Sequence, residues 1–322
     1  MDHKNCMLCP RNCNIDRNLG QTGVCGVSNQ VKVARAALHF WEEPCISGTK
    51  GSGTVFFSGC SLHCVFCQNE SIAQGLTGKE IKTERLSEIF LELQEKGAHN
   101  INLVTPGHYV PQIVTALESA KRQGLRIPVV YNTGSYEKVD TLKRLEGLVD
   151  IYLPDFKYWD SMIAQKYSRA ADYPQVAKEA IAEMVRQQPT PEFYSCGTYE
   201  VDGLKVKETN VGEEDDYDNE NYLMRKGVIV RQLLLPGLLE DAKQIIKYLY
   251  DTYGDSIYLS LMSQFTPLPH IEKYPELNRK VTREEYDAYV DYAIELGVEN
   301  GFIQEEDVAK ESFIPAFDCE GI

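Results

Sequence analysis

The sequence predicts an α/β fold: a partial (β/α)6 barrel, similar to an incomplete TIM barrel, preceded by a small cysteine-rich, metal-binding segment. Short apolar runs alternate with longer amphipathic runs from Gly53 onward. This alternation indicates a parallel sheet with helical crossovers. Its unbroken repetition favours a barrel of six units. The pattern alone also allows a doubly wound open sheet.

The predicted strands are short and rich in β-branched and aromatic residues, and they span 54–58, 101–104, 127–131, 151–153, 228–235 and 256–262. The predicted helices are amphipathic, and they span 86–96, 110–122, 139–145, 162–186, 239–253 and 283–296. Thr282, followed three residues later by Glu285, predicts the N-cap of the last helix.

Composition narrows the class of protein. The 322 residues carry a formal charge of −15, which argues against a general nucleic-acid binder. No stretch has the length and apolarity of a membrane span, and the first residues lack the apolar core of a signal peptide. We therefore expect a cytoplasmic protein. In a reducing compartment, ten cysteines indicate metal ligands rather than disulfides.

We expect three parts along the chain: a cysteine-rich segment and connector over 1–50, the barrel over 51–300, and a C-terminal extension over 301–322 that packs on the barrel. Glycines at 48–53 predict a flexible joint. The acidic run within 197–226 predicts a solvated loop or hairpin.

A cysteine motif, Cys60-x3-Cys64-x2-Cys67, follows the first predicted strand. It offers three thiolates, one fewer than an ordinary iron–sulfur or structural zinc site uses. Three thiolates can hold a cubane cluster and leave one iron open to a ligand. The alternatives are a chance trio of thiols and part of a zinc site.

A second cysteine group lies near the N-terminus, at Cys6, Cys9, Cys13 and Cys25. Four thiols suit a closed zinc site or a four-cysteine iron–sulfur cluster. Because few apolar residues surround them, we expect a bound metal to supply folding energy. Zinc and iron–sulfur are equally compatible with the spacing.

Polar residues follow the other predicted strands. For His39, Glu42 and Glu43, which precede the barrel, we expect surface polarity, with polar groups near a cleft as the alternative, and for Cys45 a buried thiol. In a parallel barrel the reactive groups gather at the carboxyl ends of the strands. Those ends carry Thr105-Pro106-Gly107, Asn132-Thr133, Asp155-x-Lys157 and Arg231. Asp155, Lys157 and Arg231 are also compatible with simple ion pairs.

The cysteine trio resembles the signature of radical S-adenosylmethionine (SAM) enzymes, with Phe66 at the aromatic position before the last cysteine. From about residue 6 onward the chain is similar to the pyruvate formate-lyase activating-enzyme-related branch of that superfamily. The stretches that carry this similarity are 41–48, 100–106, 150–157, 227–231 and 261–267.

The resemblance implies a radical SAM barrel with a [4Fe-4S] cluster on Cys60, Cys64 and Cys67, and SAM chelating the fourth iron. It places Thr105-Pro106-Gly107 near the SAM amino group and Arg231 at the SAM carboxylate. The remaining residues that we assign to the cofactor are Phe66, Asn132, Thr133, Asp155 and Lys157. Gln232 departs from the His or Tyr expected after the arginine.

The implied reaction is reductive cleavage of SAM to methionine and a 5′-deoxyadenosyl radical, which abstracts hydrogen from a substrate. We expect a protein substrate, such as a glycyl radical enzyme, and an electron donor such as flavodoxin or ferredoxin, with no nucleic-acid or membrane partner. A radical SAM enzyme acting on a small molecule is the alternative. A non-catalytic iron–sulfur electron carrier is a third hypothesis. The absence of a fourth cysteine from the motif of Cys60, Cys64 and Cys67 argues against it.

Overall fold

The computed structural model describes residues 4–195, 222–304 and 315–322. Its strands are β1 (Val31–His39), β2 (Ser52–Phe57), β3 (Lys79–Ile81), β4 (Ile101–Val104), β5 (Val129–Thr133), β6 (Ile151–Pro154), β7 (Glu192–Ser195), β8 (Tyr222–Leu233), β9 (Tyr258–Met262) and β10 (Gly301–Ile303). Its α-helices are α1 (Pro44–Ser47), α2 (Glu70–Ala73), α3 (Thr83–Glu95), α4 (Val110–Gln123), α5 (Val139–Leu142), α6 (Ser161–Ser168), α7 (Tyr173–Gln187), α8 (Leu239–Tyr253) and α9 (Arg283–Leu296).

The sheet confirms the predicted barrel of six parallel strands. Its order is β10-β9-β8-β6-β5-β4-β2-β1-β3, with β7 paired to β8. The strands from β2 to β9 in this order pair in parallel, and β10 extends them. The order follows the chain without the reversal that defines a doubly wound sheet. The fold is therefore an open, partial barrel with β1 and β3 added antiparallel at one edge.

The parallel strands are buried on both faces, and their side chains alternate between two packed layers. In β5, Val129 and Tyr131 join the core shared with the surrounding helices, whereas Val130 belongs to a second core inside the barrel. The short helix α1 contributes Cys45 and Ile46 to that inner core. Cys45 is the buried thiol that the sequence predicted, and α1 lies inside the barrel.

The outer helices form where apolar residues recur at helical spacing. In α3, the buried apolar residues are Leu86, Ile89, Phe90 and Leu93, which occupy one face of the helix. The helix α4 ends at Gly124, whose φ of 109° is the left-handed conformation that glycine adopts without strain.

The region 162–186 is two helices, so the prediction of one continuous helix was wrong. The first, α6, ends at Arg169, which adopts a left-handed conformation with φ 50°. Pro174 then lies in the first turn of α7, where its missing N–H has no helical partner to lose. Inside a continuous helix the same proline would remove a backbone hydrogen bond.

The strand β1 was not predicted. It pairs antiparallel with β2, with an irregularity between Val33 and Arg35. Its several alanines weaken the strand pattern in the sequence, because alanine is depleted in strands.

The prediction of a flexible joint at 48–53 was wrong for the second half of that segment. Ser52 and Gly53 begin β2 and are buried. A Cβ at Gly53 would lie 2.8 Å from the Asn100 carbonyl oxygen, so this glycine permits close packing.

The strand β5 lies two residues later than predicted. Pro128 has no N–H to donate to a neighbouring strand, although its carbonyl accepts the Ile101 N–H at 2.9 Å. Asn132 and Thr133 consequently lie within β5, rather than in the loop that follows.

Much of the acidic segment, at 197–221, lies outside the described residues, and 222–226 form the start of β8. At the other end of the chain, the Ala36 N–H donates to the Glu320 carbonyl (2.8 Å) and the Cys319 N–H to the Ala34 carbonyl (3.0 Å). The domain boundaries near residues 50 and 300 stay predictions. Within the described residues, no helix combines the length and apolarity needed to cross a membrane.

The predicted N-cap of α9 is confirmed as a reciprocal capping box between Thr282 and Glu285. Replacing Thr282 with alanine removes the side-chain acceptor for the Glu285 N–H. We expect the free energy of unfolding to fall by about 1 kcal/mol, measured by urea denaturation followed by circular dichroism.

The matched control is Thr252→Ala, which alters an exposed threonine in α8 and should leave stability unchanged or slightly raised. Equal losses in the two variants would show that the capping box contributes nothing.

Candidate active site at the carboxyl ends of the strands

The loop after β2 carries the cysteine trio. Gly59 makes the turn with φ 94°, and Cys60, Cys64 and Cys67 are partly buried. The Leu62 N–H donates to the Cys60 sulfur at 3.4 Å, and the Ser168 hydroxyl donates to the Cys64 sulfur at 3.0 Å. Burial raises the pKa of the Cys67 thiol to about 12. In the free protein the Cys67 sulfur therefore holds its proton until a metal displaces it.

Phe66 anchors this loop on the barrel. Its ring is 7% exposed and makes edge-to-face contacts with Tyr158 and Phe265, with centroids 6.2 Å apart in each pair. Such geometry stabilises an aromatic cluster beyond simple burial. The cysteines are thus carried by a loop whose central side chain is fixed.

The structure brings the predicted side chains together around one cavity of about 290 Å³. Within the described part of the chain, Pro106 does not line this cavity. The predicted residues that do are Cys60, Cys64, Phe66, Cys67, Thr105, Gly107, Asn132, Thr133, Asp155, Lys157 and Arg231.

Arg231, on β8, joins the polar side of the cavity. Its Nε donates to Asp155 Oδ1 at 2.7 Å, its Nη1 to Glu42 Oε2 at 3.1 Å, and its Nη2 to Asn132 Oδ1 at 2.6 Å. Lys157 Nζ lies 2.6 Å from Asp155 Oδ2. Burial by itself raises the pKa of Asp155, but the two cations outweigh it and the net pKa is lowered. A ligand carboxylate at Arg231 would share the guanidinium with Asp155 and Glu42.

The expectation of surface polarity for Glu42 and Glu43 was wrong. Their side chains are 7% and 9% exposed, because the turn after β1 leads α1 into the barrel. Glu42 accepts from Asn102 Nδ2 at 3.0 Å, as well as from Arg231. Glu43 Oε2 is buried with no hydrogen-bond partner among the described residues. Burial raises the pKa of both carboxyls, despite the lowering effect of Arg231.

His39 is half-buried and lines the cavity. Its ring packs edge-on against Phe56, with centroids 5.8 Å apart. Burial lowers the pKa of His39, and the nearby Arg35 lowers it further. The expectation of plain surface polarity was therefore wrong for this residue also.

Glu137 is a cavity residue that the sequence reasoning missed. It is 6% exposed, and its Oε1 accepts from Thr133 Oγ1 at 2.7 Å and from the Tyr131 hydroxyl at 3.3 Å. Its Oε2 is buried without a partner among the described residues. A Cβ at Gly107 would collide with this carboxylate. Burial raises the pKa of Glu137 to about 7. In the sequence, Glu137 could have been noticed as an acidic residue four positions after the end of β5.

Two residues beside the cavity have left-handed backbone conformations that side chains disfavour. Thr105 has φ 56° and Ser135 has φ 62°. Backbone and side-chain contacts hold them in place: the Thr105 N–H donates to the Asn132 carbonyl at 2.9 Å, and the Ser135 N–H to Thr133 Oγ1 at 3.3 Å. Thr105 is thus positioned by the neighbouring strand.

The four N-terminal cysteines lie beside this site, and Cys9 lines the same cavity. Cys25 is buried, and the other three are partly buried. Across residues 4–195, 222–304 and 315–322, no three His, Cys, Asp or Glu side chains converge closely enough to hold a single metal ion. Neither the trio at Cys60, Cys64 and Cys67 nor the N-terminal group is drawn together to that extent.

The family model of the radical SAM superfamily matches residues 54–197, from β2 through the cysteine trio and beyond β7. This part of the chain is therefore similar to radical SAM domains. A relative, an uncharacterized protein of Methanocaldococcus jannaschii, is 26% identical over 298 residues, which cover 90% of this chain and 74% of the relative.

Solved structures similar to the chain include Streptococcus suis SuiB bound to the precursor peptide SuiA, with a TM-score of 0.48, 12% identity, and coverage of 80% of this chain and 49% of SuiB. The chain thus spans about half the length of SuiB. A domain of pyruvate-formate lyase-activating enzyme from Bacteroides vulgatus has a TM-score of 0.39 and 12% identity, with coverage of 61% of this chain and 92% of that domain.

A radical SAM domain implies a [4Fe-4S] cluster and SAM, and the residues present fit both groups. Three thiols on one loop face a cavity, and two of their sulfurs already accept hydrogen bonds, as sulfur ligands of such clusters do. Opposite them lie Arg231, Lys157 and Asp155, which can bind the charged ends of an amino acid.

Replacing Arg231 with methionine leaves Glu42 and Asp155 buried without the guanidinium between them. Removing one partner from a buried ionic group costs about 3–5 kcal/mol, so we expect a loss of this size in the free energy of unfolding at neutral pH. Urea denaturation measures it. Arg126→Met, at an exposed position, should change stability by less than about 0.5 kcal/mol. A loss at Arg231 no larger than this control would contradict the network.

The raised pKa of Glu137 makes stability depend on pH. The fold favours the protonated carboxyl, so its contribution is complete below about pH 4.5 and is lost as pH rises through about 7. Glu137→Gln cannot ionise. From pH 5 to pH 8 we expect wild type to lose about 3 kcal/mol of unfolding free energy relative to this variant.

The control for Glu137 is Glu179→Gln, which alters an exposed carboxylate on α7 and should parallel wild type at every pH. A constant difference between wild type and Glu137→Gln from pH 5 to pH 8 would contradict the raised pKa.

Proposed function

We propose that this chain is a radical SAM enzyme whose cluster is held by Cys60, Cys64 and Cys67. The observation that carries the proposal is the convergence of these three thiols with the polar strand ends on one cavity. When bound, the cluster and SAM supply a 5′-deoxyadenosyl radical through one-electron reductive cleavage. The chain itself holds, orients and shields these groups.

The polar residues have distinct parts in this proposal. Arg231 takes the SAM carboxylate, with its guanidinium held in position by Asp155 and Asn132. Lys157 stays charged, because Asp155 outweighs the effect of burial and raises its pKa. It therefore supplies positive charge beside the cysteines, where it lowers the pKa of the Cys60 and Cys67 thiols against the larger effect of burial.

The remaining contacts come from the loops after β4 and β5. Thr105 and Gly107 present backbone to the cavity, and the missing side chain of Gly107 permits close approach. Asn132 and Thr133, at the end of β5, and Phe66, in the cysteine loop, complete the proposed cofactor set.

For the substrate we propose a protein, either a glycyl radical enzyme to be activated or another protein to be modified. The support is the sequence similarity to activating enzymes and the size of the cavity. A cavity of about 290 Å³ lies at the lower limit of ordinary ligand pockets, so a bound cofactor would leave little enclosed room. Trp41 lines the cavity and is 57% exposed, which places it at the rim. A substrate group presented from outside, as on a protein loop, fits this arrangement.

The decisive experiment is anaerobic incubation of fully clustered, dithionite-reduced protein with SAM. We expect 5′-deoxyadenosine and methionine, detected by liquid chromatography and mass spectrometry. Cys64→Ala should abolish both products, because two thiolates cannot replace the three-cysteine site. Cys319→Ser alters a cysteine that pairs with β1 by its backbone and should keep wild-type yield. If a fully clustered wild-type preparation gave no product, the result would contradict the enzyme proposal and favour a non-catalytic electron carrier.

Deuterium transfer separates the two substrate classes. A candidate glycyl radical enzyme incubated with this protein, SAM and reductant should acquire a glycyl radical detectable by electron paramagnetic resonance (EPR). Deuterium exchanged into the target glycine should appear in 5′-deoxyadenosine. Deuterium incorporation from a labelled small molecule, with none from protein, would favour the small-molecule alternative.

A further inference from the structure

Two buried hydroxyl groups form a chain that ends on one cysteine of the trio. The Ser168 Oγ lies 3.0 Å from the Cys64 sulfur, and the Tyr158 hydroxyl lies 2.7 Å from the Ser168 Oγ. Both side chains are fully buried, so water does not compete for these contacts. We call Tyr158 and Ser168 the hydroxyl chain.

The chemistry of the sulfur fixes the direction of both hydrogen bonds. A cysteine must lose its proton to ligate a metal, and the Cys64 thiolate can then only accept. A serine hydroxyl has a single hydrogen, which Ser168 donates to the sulfur. The Tyr158 hydroxyl is therefore the donor to the Ser168 Oγ. The two O–H groups point the same way, and aligned hydrogen bonds of this kind strengthen one another.

Backbone contacts hold the hydroxyl chain against the cysteine loop. Ser168 is the last residue of α6. The Val65 N–H donates to the Tyr167 carbonyl at 2.9 Å, so a neighbour of Cys64 is bonded to a neighbour of Ser168. Arg11 Nη2 also donates to the Ser168 carbonyl at 2.8 Å. Ser168 consequently stays with the Cys64 sulfur when the loop adjusts to a bound cluster.

Aromatic packing fixes the direction of the Tyr158 hydroxyl. Its ring lies edge-on to Tyr173, with centroids 5.3 Å apart, and to Phe66, with centroids 6.2 Å apart. Phe66 belongs to the cysteine loop itself, so the ring and the loop are packed as one unit. Edge-to-face pairs stabilise such clusters beyond simple burial. The hydroxyl chain is thus already oriented before any cluster is bound.

We propose that the hydroxyl chain raises the reduction potential of the cluster held by Cys60, Cys64 and Cys67. Reduction adds one negative charge, and a hydrogen bond to a ligand sulfur favours the more negative state. In a buried site this preference is stronger than in water. The raised potential lets a one-electron protein carrier of the flavodoxin or ferredoxin class reduce the cluster. This inference rests on the proposed function, and both residues act through Cys64.

An anaerobic redox titration without SAM, followed by EPR, tests the hydroxyl chain. The EPR signal of a chain with all three trio cysteines replaced by alanine is subtracted. At the wild-type midpoint potential, Ser168→Ala should show about a tenfold lower ratio of reduced to oxidised cluster, which is a fall of about 59 mV. Tyr158→Phe should shift the midpoint less, in the same direction, because Ser168 still donates. An unchanged or raised midpoint in Ser168→Ala would overturn the inference.

Two variants that remove buried hydroxyls elsewhere are the matched controls. Ser87→Ala alters a buried serine in α3. Tyr152→Phe alters a buried tyrosine on β6 whose hydroxyl donates to Gln187 Oε1 at 2.6 Å. Both should keep the wild-type midpoint. A shift in either control as large as that of Ser168→Ala would show a general effect of lost packing, and would overturn a specific role for Ser168.

Iron content separates the remaining outcomes. If Ser168→Ala holds no cluster, Tyr158→Phe decides, because it keeps the Ser168 hydroxyl, and a midpoint that is not lowered overturns the inference. Loss of iron from both variants would also overturn it, since the hydroxyls would then be needed for assembly rather than for the potential. A wild-type chain without a cluster on the trio would contradict the proposed function, and this inference with it. An intact cluster with an unchanged midpoint would contradict this inference alone.

Discussion

The active-site end of the barrel depends on one buried guanidinium. Arg231 on β8 bonds to Asp155 after β6, to Asn132 on β5 and to Glu42 before α1. Burying such charges costs several kcal/mol for each ion, and only direct pairing offsets that cost. The network therefore holds only if all its members are in place, and it couples the position of α1 inside the barrel to the spacing of the parallel strands. This coupling explains why a segment outside the strand–helix repeats belongs to the site.

The strand–helix alternation and the cysteine spacing are local patterns, and they predicted the barrel and the loop of Cys60 correctly. Residues whose burial depends on contacts with distant parts of the sequence could not be predicted from such local patterns. Glu42 and Glu43 look like surface acids in sequence, because nothing nearby reveals that α1 enters the barrel. Glu137 was missed since its burial depends on Gly107, thirty positions earlier. The break between α6 and α7 could have been predicted, because Pro174 is tolerated in the first turn of a helix but not in its interior.

The two cysteine groups are joined by direct contacts although they are far apart in sequence. Gly59 and Gly23 make this possible by different means: the first lets the Cys25 carbonyl approach the cysteine loop, and the second leaves room for the Cys13 sulfur. Arg11 adds three hydrogen bonds to backbone carbonyls of Ser61, Ser168 and Arg169. A change in the geometry of either group would therefore act on backbone that both groups share.

The cavity is electrostatically incomplete in the free protein. Buried oxygens of Glu43, Asn102 and Glu137 have no hydrogen-bond donor among the described residues. Each unsatisfied group costs about 1–3 kcal/mol. Arg231 and Lys157 are already paired with carboxylates, so the Glu43 and Glu137 carboxyls limit this cost by keeping a proton, in line with their raised pKa. Glu43 and Asn102 belong to the polar network beneath the cavity, and Glu137 lines it. A ligand in the cavity can therefore relieve only Glu137, by accepting its proton below about pH 7 or by donating to its carboxylate above that pH.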